Sequence, residues 1–303
     1  MGQRPFKGAV PFRPNLVASC RGREYNCAYL LKGCRTLKTQ AIERIVKSFD
    51  TMQSSTDLLA TDFLDSLARL EDSAIQKRLL QELIVKYVEL EKRVDGLLRN
   101  TLPESVADEI KYNSEYPARA FDGSIFFSDC AGFTKLAEKM SAELLIERLH
   151  LLFSGTDKIM QRHGGTKIKT IGDSYMACFG APLPQQDHAR RAVNAALDVI
   201  EFLREFNADQ PLPIEMRIGI HSGHFMGGVV GKDRMQFDVF GDNVNIASRF
   251  ESSGEKGRIN VSETVFEQVS ELFNCESRGE ISLKNKNPMK AYFVTGRKNE
   301  AAR

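Results

Sequence analysis

The chain has 303 residues, enough for about two ordinary domains, and its 42% hydrophobic and 27% charged content is ordinary for a globular protein. No apolar run reaches the roughly 18 residues of a membrane-spanning helix, and no hydrophobic signal-peptide core follows Met1, so the expected location is the cytoplasm. Six cysteines without an export signal read as reduced thiols rather than a disulfide framework.

The formal charge of +2 conceals an asymmetry. Residues 1–47 hold ten Lys and Arg against Glu24 and Glu43, a net of +8, which leaves −6 for the remainder. Residues 1–50 therefore read as a basic, partly disordered arm, with Pro5, Pro11 and Pro14 near its start. Such an arm could touch an anionic membrane surface weakly. No nucleic-acid motif accompanies it, so no nucleic-acid partner is expected. Cys20, Cys27 and Cys34 recur every seven residues, a spacing that matches no common zinc pattern.

Residues 51–112 read as a helical segment. Ser54 to Arg99 has no proline and a single glycine, Gly96, and is rich in good helix formers. Leu80, Leu83, Tyr87, Leu90, Val94 and Leu97 are spaced 3, 4, 3, 4, 3, an a/d seam that suits either a parallel two-chain coiled coil or packing within one chain.

Residues 113–298 alternate strand and helix patterns. Ala120 to Ser128 predicts a strand, fully apolar at Ile125-Phe126-Phe127. Glu143 to Arg162 predicts an amphipathic helix ended by His163-Gly164-Gly165. Thr166–Ile171 and Ser174–Phe179 predict a hairpin around Gly172-Asp173. Asp187 to Phe206 predicts an Ala-rich helix, and Ile214, Met216, Ile218 and Ile220 alternate as in a half-buried strand. This order points to an α/β sandwich with helices on one sheet face.

Three features could carry chemistry. Asp129 ends an apolar strand ahead of Ala131-Gly132-Phe133-Thr134, and Asp173 sits in a hairpin turn. Carboxylates at neighbouring strand ends can hold hard divalent cations, and Gly132 lets backbone N–H groups approach a phosphate. Taken singly, each Asp is also explained as ordinary turn chemistry. If Asn243 opens a helix, Asn245 and Arg249 lie four residues apart on one face, a pairing that suits a sugar and a phosphate or simply a solvated surface.

Taken together, Phe126 to Thr134, Lys167 to Ala177, Phe237 to Arg249 and Arg278 to Lys284, with Lys290 to Val294 after them, resemble the catalytic domain of class III adenylyl and guanylyl cyclases. The resemblance covers about Tyr116 to Thr295. It implies a ferredoxin-like α/β fold, head-to-tail dimers with active sites at the interface, and two divalent ions, Mg²⁺ or Mn²⁺. By resemblance, Asp129, Asp173 and Cys130 form the metal set, and Lys169 and Asp238 the purine-selecting pair. The same resemblance implies that Asn245 orients the ribose, that Arg249 stabilises the transition state, and that Lys284 binds the triphosphate beside Gly132, Phe133 and Thr134. His224 stands where many relatives place a phosphate-binding arginine. His163, His188 and His221 read as structural. Leu97 to Lys111 resembles the helix and linker that relay a signal in relatives, from a regulator the sequence does not identify.

Adenine presents an acceptor at N1 and a donor at its amine, which Lys169 and Asp238 complement. ATP is the expected substrate and cyclic AMP the expected product of a homodimer with both half-sites on each chain. A guanylate cyclase and a catalytically silent nucleotide-binding domain are the alternatives.

Overall fold

The computed structural model describes residues 65, 68–69, 73–232, 234–283 and 286–298. The basic arm, its three cysteines and Lys284 lie outside the described residues. The chain divides into two compact units, Met1–Asp95 and Gly96–Arg303.

The first described element is α1 (Ser73–Thr101). In it Leu79 and Leu83 are buried, whereas Leu80, Tyr87, Val94 and Leu97 of the heptad stripe are exposed. No helix among the described residues is long and apolar enough to cross a membrane. Pro103, which fixes its own φ and has no N–H to leave unpaired, precedes α2 (Glu104–Asn113). Arg99 clamps that turn, donating to Glu104 at 2.9 Å and to Asp108 at 2.6 Å.

The second unit is built on one eight-stranded sheet. Its elements are β1 (Arg119–Cys130), α3 (Phe133–Ala137), α4 (Ala142–Arg162), β2 (Thr166–Ile171), β3 (Ser174–Phe179), α5 (His188–Asn207), β4 (Met216–Val230) and β5 (Gln236–Phe240). They are followed by α6 (Asp242–Ser252), β6 (Ile259–Ser262), α7 (Glu263–Val269), β7 (Phe273–Ile281) and β8 (Met289–Arg297). The strand order is β2-β3-β1-β4-β6-β8-β7, and β5 pairs with β4. The β4–β6 pairing is parallel and the others are antiparallel.

Helices cover both faces of this sheet, where the sequence pattern pointed to one. The cause is visible in β1 and β3, whose successive side chains enter different cores. Phe126, Tyr175, Ala177 and Phe179 pack with Leu152 and Met160 of α4 and the alanines of α5. Ile125, Met176 and Cys178 pack on the other side with Val106 and Ala107 of α2 and Ala247 of α6. A strand that is apolar at every position needs cover on both faces. The hairpin and α4 form as the sequence pattern predicts. Ser141 caps α4 by accepting from the Leu144 N–H at 3.3 Å, a contact typically worth about 1 kcal/mol.

Candidate active site

The central strands carry the acidic residues. Asp129 is the penultimate residue of β1, and the Gly172-Asp173 turn joins β2 to β3, the strand paired with β1. Asp129 accepts from Ser174 Oγ at Oδ1 and from Arg217 Nη2 at Oδ2, each at 2.7 Å. The Asp173 carboxyl is held above its ordinary range by burial and by the negative charge of Asp129; its own backbone N–H and that of Cys130 oppose the shift. Two carboxylates kept this close in partial burial form a set of hard oxygen donors that a divalent cation would relieve. Among the described residues no third His, Cys, Asp or Glu joins them in a metal-sized cluster. Two carboxylates completed by water and substrate phosphates are the usual setting of Mg²⁺.

Cys130 contributes differently from the carboxylates. Its side chain belongs to the core beside Phe126 and Leu152, and burial, with the charges of Asp173 and Asp129, pushes its thiol up to about 12. The thiol stays protonated within the core, so any donor from this residue would be a backbone atom. Directly beyond it, Gly132 takes a left-handed φ of 79°, which only glycine adopts readily. That turn leads into α3 with Phe133 half-buried against the core and Thr134 exposed.

Lys169 and Asp238 lie 69 residues apart but meet directly, Lys169 Nζ donating to Asp238 Oδ2 at 2.5 Å. A bulge makes this possible: Lys167 pairs with Ala177 and Lys169 with the adjacent Met176, so Ile168 is the extra residue. Ile168 is buried in the core. The Val239 N–H donates to Asp238 Oδ1 at 2.9 Å.

Asn245 and Arg249 lie on α6, with Asn245 exposed and Arg249 half-buried. Arg249 Nη1 is buried without a hydrogen-bond partner among the described residues. The helix lies against β4 because Gly219 has no side chain: a Cβ there would sit 2.0 Å from the Glu251 backbone nitrogen. The start of α6 is pinned by Asn243, which donates to the His224 carbonyl at 2.8 Å and accepts from His221 Nε2 at 3.0 Å. His221 Nδ1 contacts Ser262 Oγ at 2.9 Å, and burial holds the imidazole pKa below its ordinary value, favouring the neutral ring. His163 and His188 likewise tie elements together, through Asp198 at 2.7 Å and Ser124 at 2.8 Å. His224 is exposed, 3.5 Å from Asp122.

The structure thus brings Asp129 next to Asp173 and Lys169 next to Asp238, and places Asn245 and Arg249 on a separate helix. Sequence reasoning overlooked Arg217 and Glu251, the ion pair beside Asp129 with 3.1 Å between Arg217 Nε and Glu251 Oε1. The only local signal was an arginine among the alternating apolar residues Met216, Ile218 and Ile220, which also suits a solvent-facing position.

Comparison with known proteins identifies the family. The family described as the adenylate and guanylate cyclase catalytic domain matches residues 116–296. The receptor-type guanylate cyclase gcy-13 of Caenorhabditis elegans is 32% identical over 97% of this chain and 30% of its own length. An adenylate cyclase of Mycobacterium bovis is 36% identical over 68% of this chain and 47% of its own. The chain therefore spans less than half the length of these relatives. The guanylate cyclase domain of RhGC from Catenaria anguillulae, solved in complex with GTP, superposes with a TM-score of 0.58 at 36% identity, covering 59% of this chain and all of that one. On the family match and the shared fold together, the chain belongs to the class III adenylyl and guanylyl cyclases.

Proposed function

We propose that the chain is an adenylate cyclase that converts ATP to 3′,5′-cyclic AMP and pyrophosphate in a homodimer with two interface sites. The family includes enzymes for either purine, so the base-reading residues carry the argument. The observation that favours ATP is the contact of Lys169 with Asp238: a donor and an acceptor sit side by side, complementary to adenine N1 and its exocyclic amine. Guanine presents the opposite polarity and would meet a donor with a donor.

In this reading Asp129 and Asp173 hold two Mg²⁺ or Mn²⁺ ions. The ions would activate the ribose 3′-hydroxyl and neutralise the triphosphate. Asn245 orients the ribose, and Arg249, with a buried guanidinium nitrogen that has no hydrogen-bond partner among the described residues, meets the charge that grows at the α-phosphorus. The backbone of Gly132, Phe133 and Thr134 and the side chain of Lys284 contact the phosphates. The carboxylates come from one copy and the Asn245–Arg249 helix from the other, so a two-fold pair has two complete sites. The exposed stripe of α1 joins the copies as a coiled coil and relays the signal of an upstream regulator.

Purified protein incubated with ATP or GTP and Mn²⁺ or Mg²⁺, with products separated by chromatography, tests the reading. Cyclic AMP from ATP is the expected dominant product. Dominant cyclic GMP would make the chain a guanylate cyclase, and no turnover with either would make it a silent nucleotide-binding domain.

A further inference from the structure

Arg217 stands directly across from Asp129 in the antiparallel register of β4 with β1. Its Nη2 donates to Asp129 Oδ2 while Ser174 Oγ fills Oδ1, so each carboxylate oxygen has a fixed donor. The guanidinium also reaches the last turn of α6, where Nε lies 3.1 Å from Glu251 Oε1. Glu251 is 8% exposed. Neither Arg217 Nε nor Glu251 Oε1 forms an aligned hydrogen bond with another described residue, so the charge contact is what each offers the other. A buried carboxylate is costly unless its counter-charge stays in place. Glu251 thereby holds the guanidinium at Nε while Nη2 serves Asp129, and a planar fork can serve two carboxylates at once where an ammonium cannot.

We infer that Arg217, restrained by Glu251, is a positioning residue that fixes the Asp129 carboxylate in the orientation that receives the divalent cations. The inference rests on the reading of Asp129 and Asp173 as the metal set. A ligating carboxylate needs outer partners that lock its rotamer, and loss of such a partner typically costs about 10–100-fold in metal affinity. The sign of the effect separates positioning from simple electrostatics. A positive charge beside the site repels a divalent cation, so if Arg217 acted only through its charge, its removal would tighten metal binding.

The test is a titration of the nucleotide-free protein with Mn²⁺ alone, read by the electron paramagnetic resonance signal of free Mn²⁺, on wild type, Asp129→Ala, Arg217→Met, Arg217→Gln and Glu251→Gln. Circular dichroism and thermal melting establish that each variant is folded, and Arg217→Gln carries the test if Arg217→Met does not fold. The expected result is weaker Mn²⁺ binding by about 10–100-fold in the Arg217 variant, with a smaller loss in Glu251→Gln. In turnover assays the Mn²⁺ concentration for half-maximal rate rises, while KM for nucleotide at saturating Mn²⁺ is unchanged. Unchanged or tighter binding in a folded Arg217 variant, with Asp129→Ala weakened, overturns the role of Arg217 and leaves the metal set standing. Unchanged binding in Asp129→Ala overturns the metal set itself.

Discussion

Lys169 on β2 and Asp238 on β5 close a 2.5 Å ion pair between two strands that are not neighbours in the sheet, and the Asp238 side chain is the more deeply buried partner. In the proposed reading, a purine entering between them would replace a contact each residue already has. Selectivity would then come from which base repairs both groups.

The pair predicts a coupled specificity change. Lys169→Glu alone sets two carboxylates against each other and should lower both the melting temperature and turnover with either nucleotide. Adding Asp238→Cys removes that conflict and reverses the polarity of both contacts, so the double variant should prefer GTP. Comparison of kcat/KM for ATP and GTP in wild type, both singles and the double reads the coupling. An unchanged ATP preference in the double variant would show that this pair does not read the base.

If both carboxylates serve the cations, as proposed, Asp129→Ala and Asp173→Ala should each abolish turnover while the protein stays folded. Asp173→Ala also removes a partly buried carboxyl that its neighbour's charge disfavours, so its melting temperature should equal or exceed that of wild type. Near-normal cyclic AMP synthesis by either variant would remove that residue from the metal set.

Arg249→Ala should reduce kcat by about 10²–10³ with little change in KM, by analogy with the loss of one donor to a charge that develops only in the transition state. Steady-state kinetics across ATP concentrations separate the two parameters. An effect confined to KM would make Arg249 a substrate-binding residue.

On α1, Leu79 and Leu83 are buried, whereas Val94 is 63% exposed. Val94→Lys should therefore cost a single copy almost nothing, yet weaken association and activity together if the stripe forms a coiled coil. Sedimentation at low protein concentration measures this directly. An unchanged profile would mean that the stripe faces solvent in the active enzyme.

Local signals and long-range pairings differed in how much of this was legible in the sequence. The β2–β3 hairpin and α4 could be read almost to the residue, because Gly172-Asp173 and His163-Gly164-Gly165 mark their ends chemically. The Lys169–Asp238 and Asp129–Asp173 partnerships came from motif resemblance, and the fold brings each pair together. The second helical layer was missed because β1 and β3 are apolar on successive residues, a pattern that shows full burial without showing what lies on each side. The four-residue β6 is too short to show a period. Arg217 and Glu251 could not be paired with Asp129 because 88 residues separate Asp129 from Arg217, and only the β1–β4 register joins them.

The central claim is a homodimer whose two sites each draw carboxylates from one copy and the Asn245–Arg249 helix from the other. Asp129→Ala and Arg249→Ala homodimers should each be inactive or nearly so. In a mixed dimer one site inherits both defects and the other neither. With free exchange about half of the dimers are mixed, so about a quarter of wild-type cyclic AMP synthesis should return for independent sites. Co-expression with two different affinity tags isolates verified mixed dimers, for which the predicted activity is about half that of wild type. Verified mixed dimers as inactive as the parent homodimers would contradict the account and require each chain to build its own site.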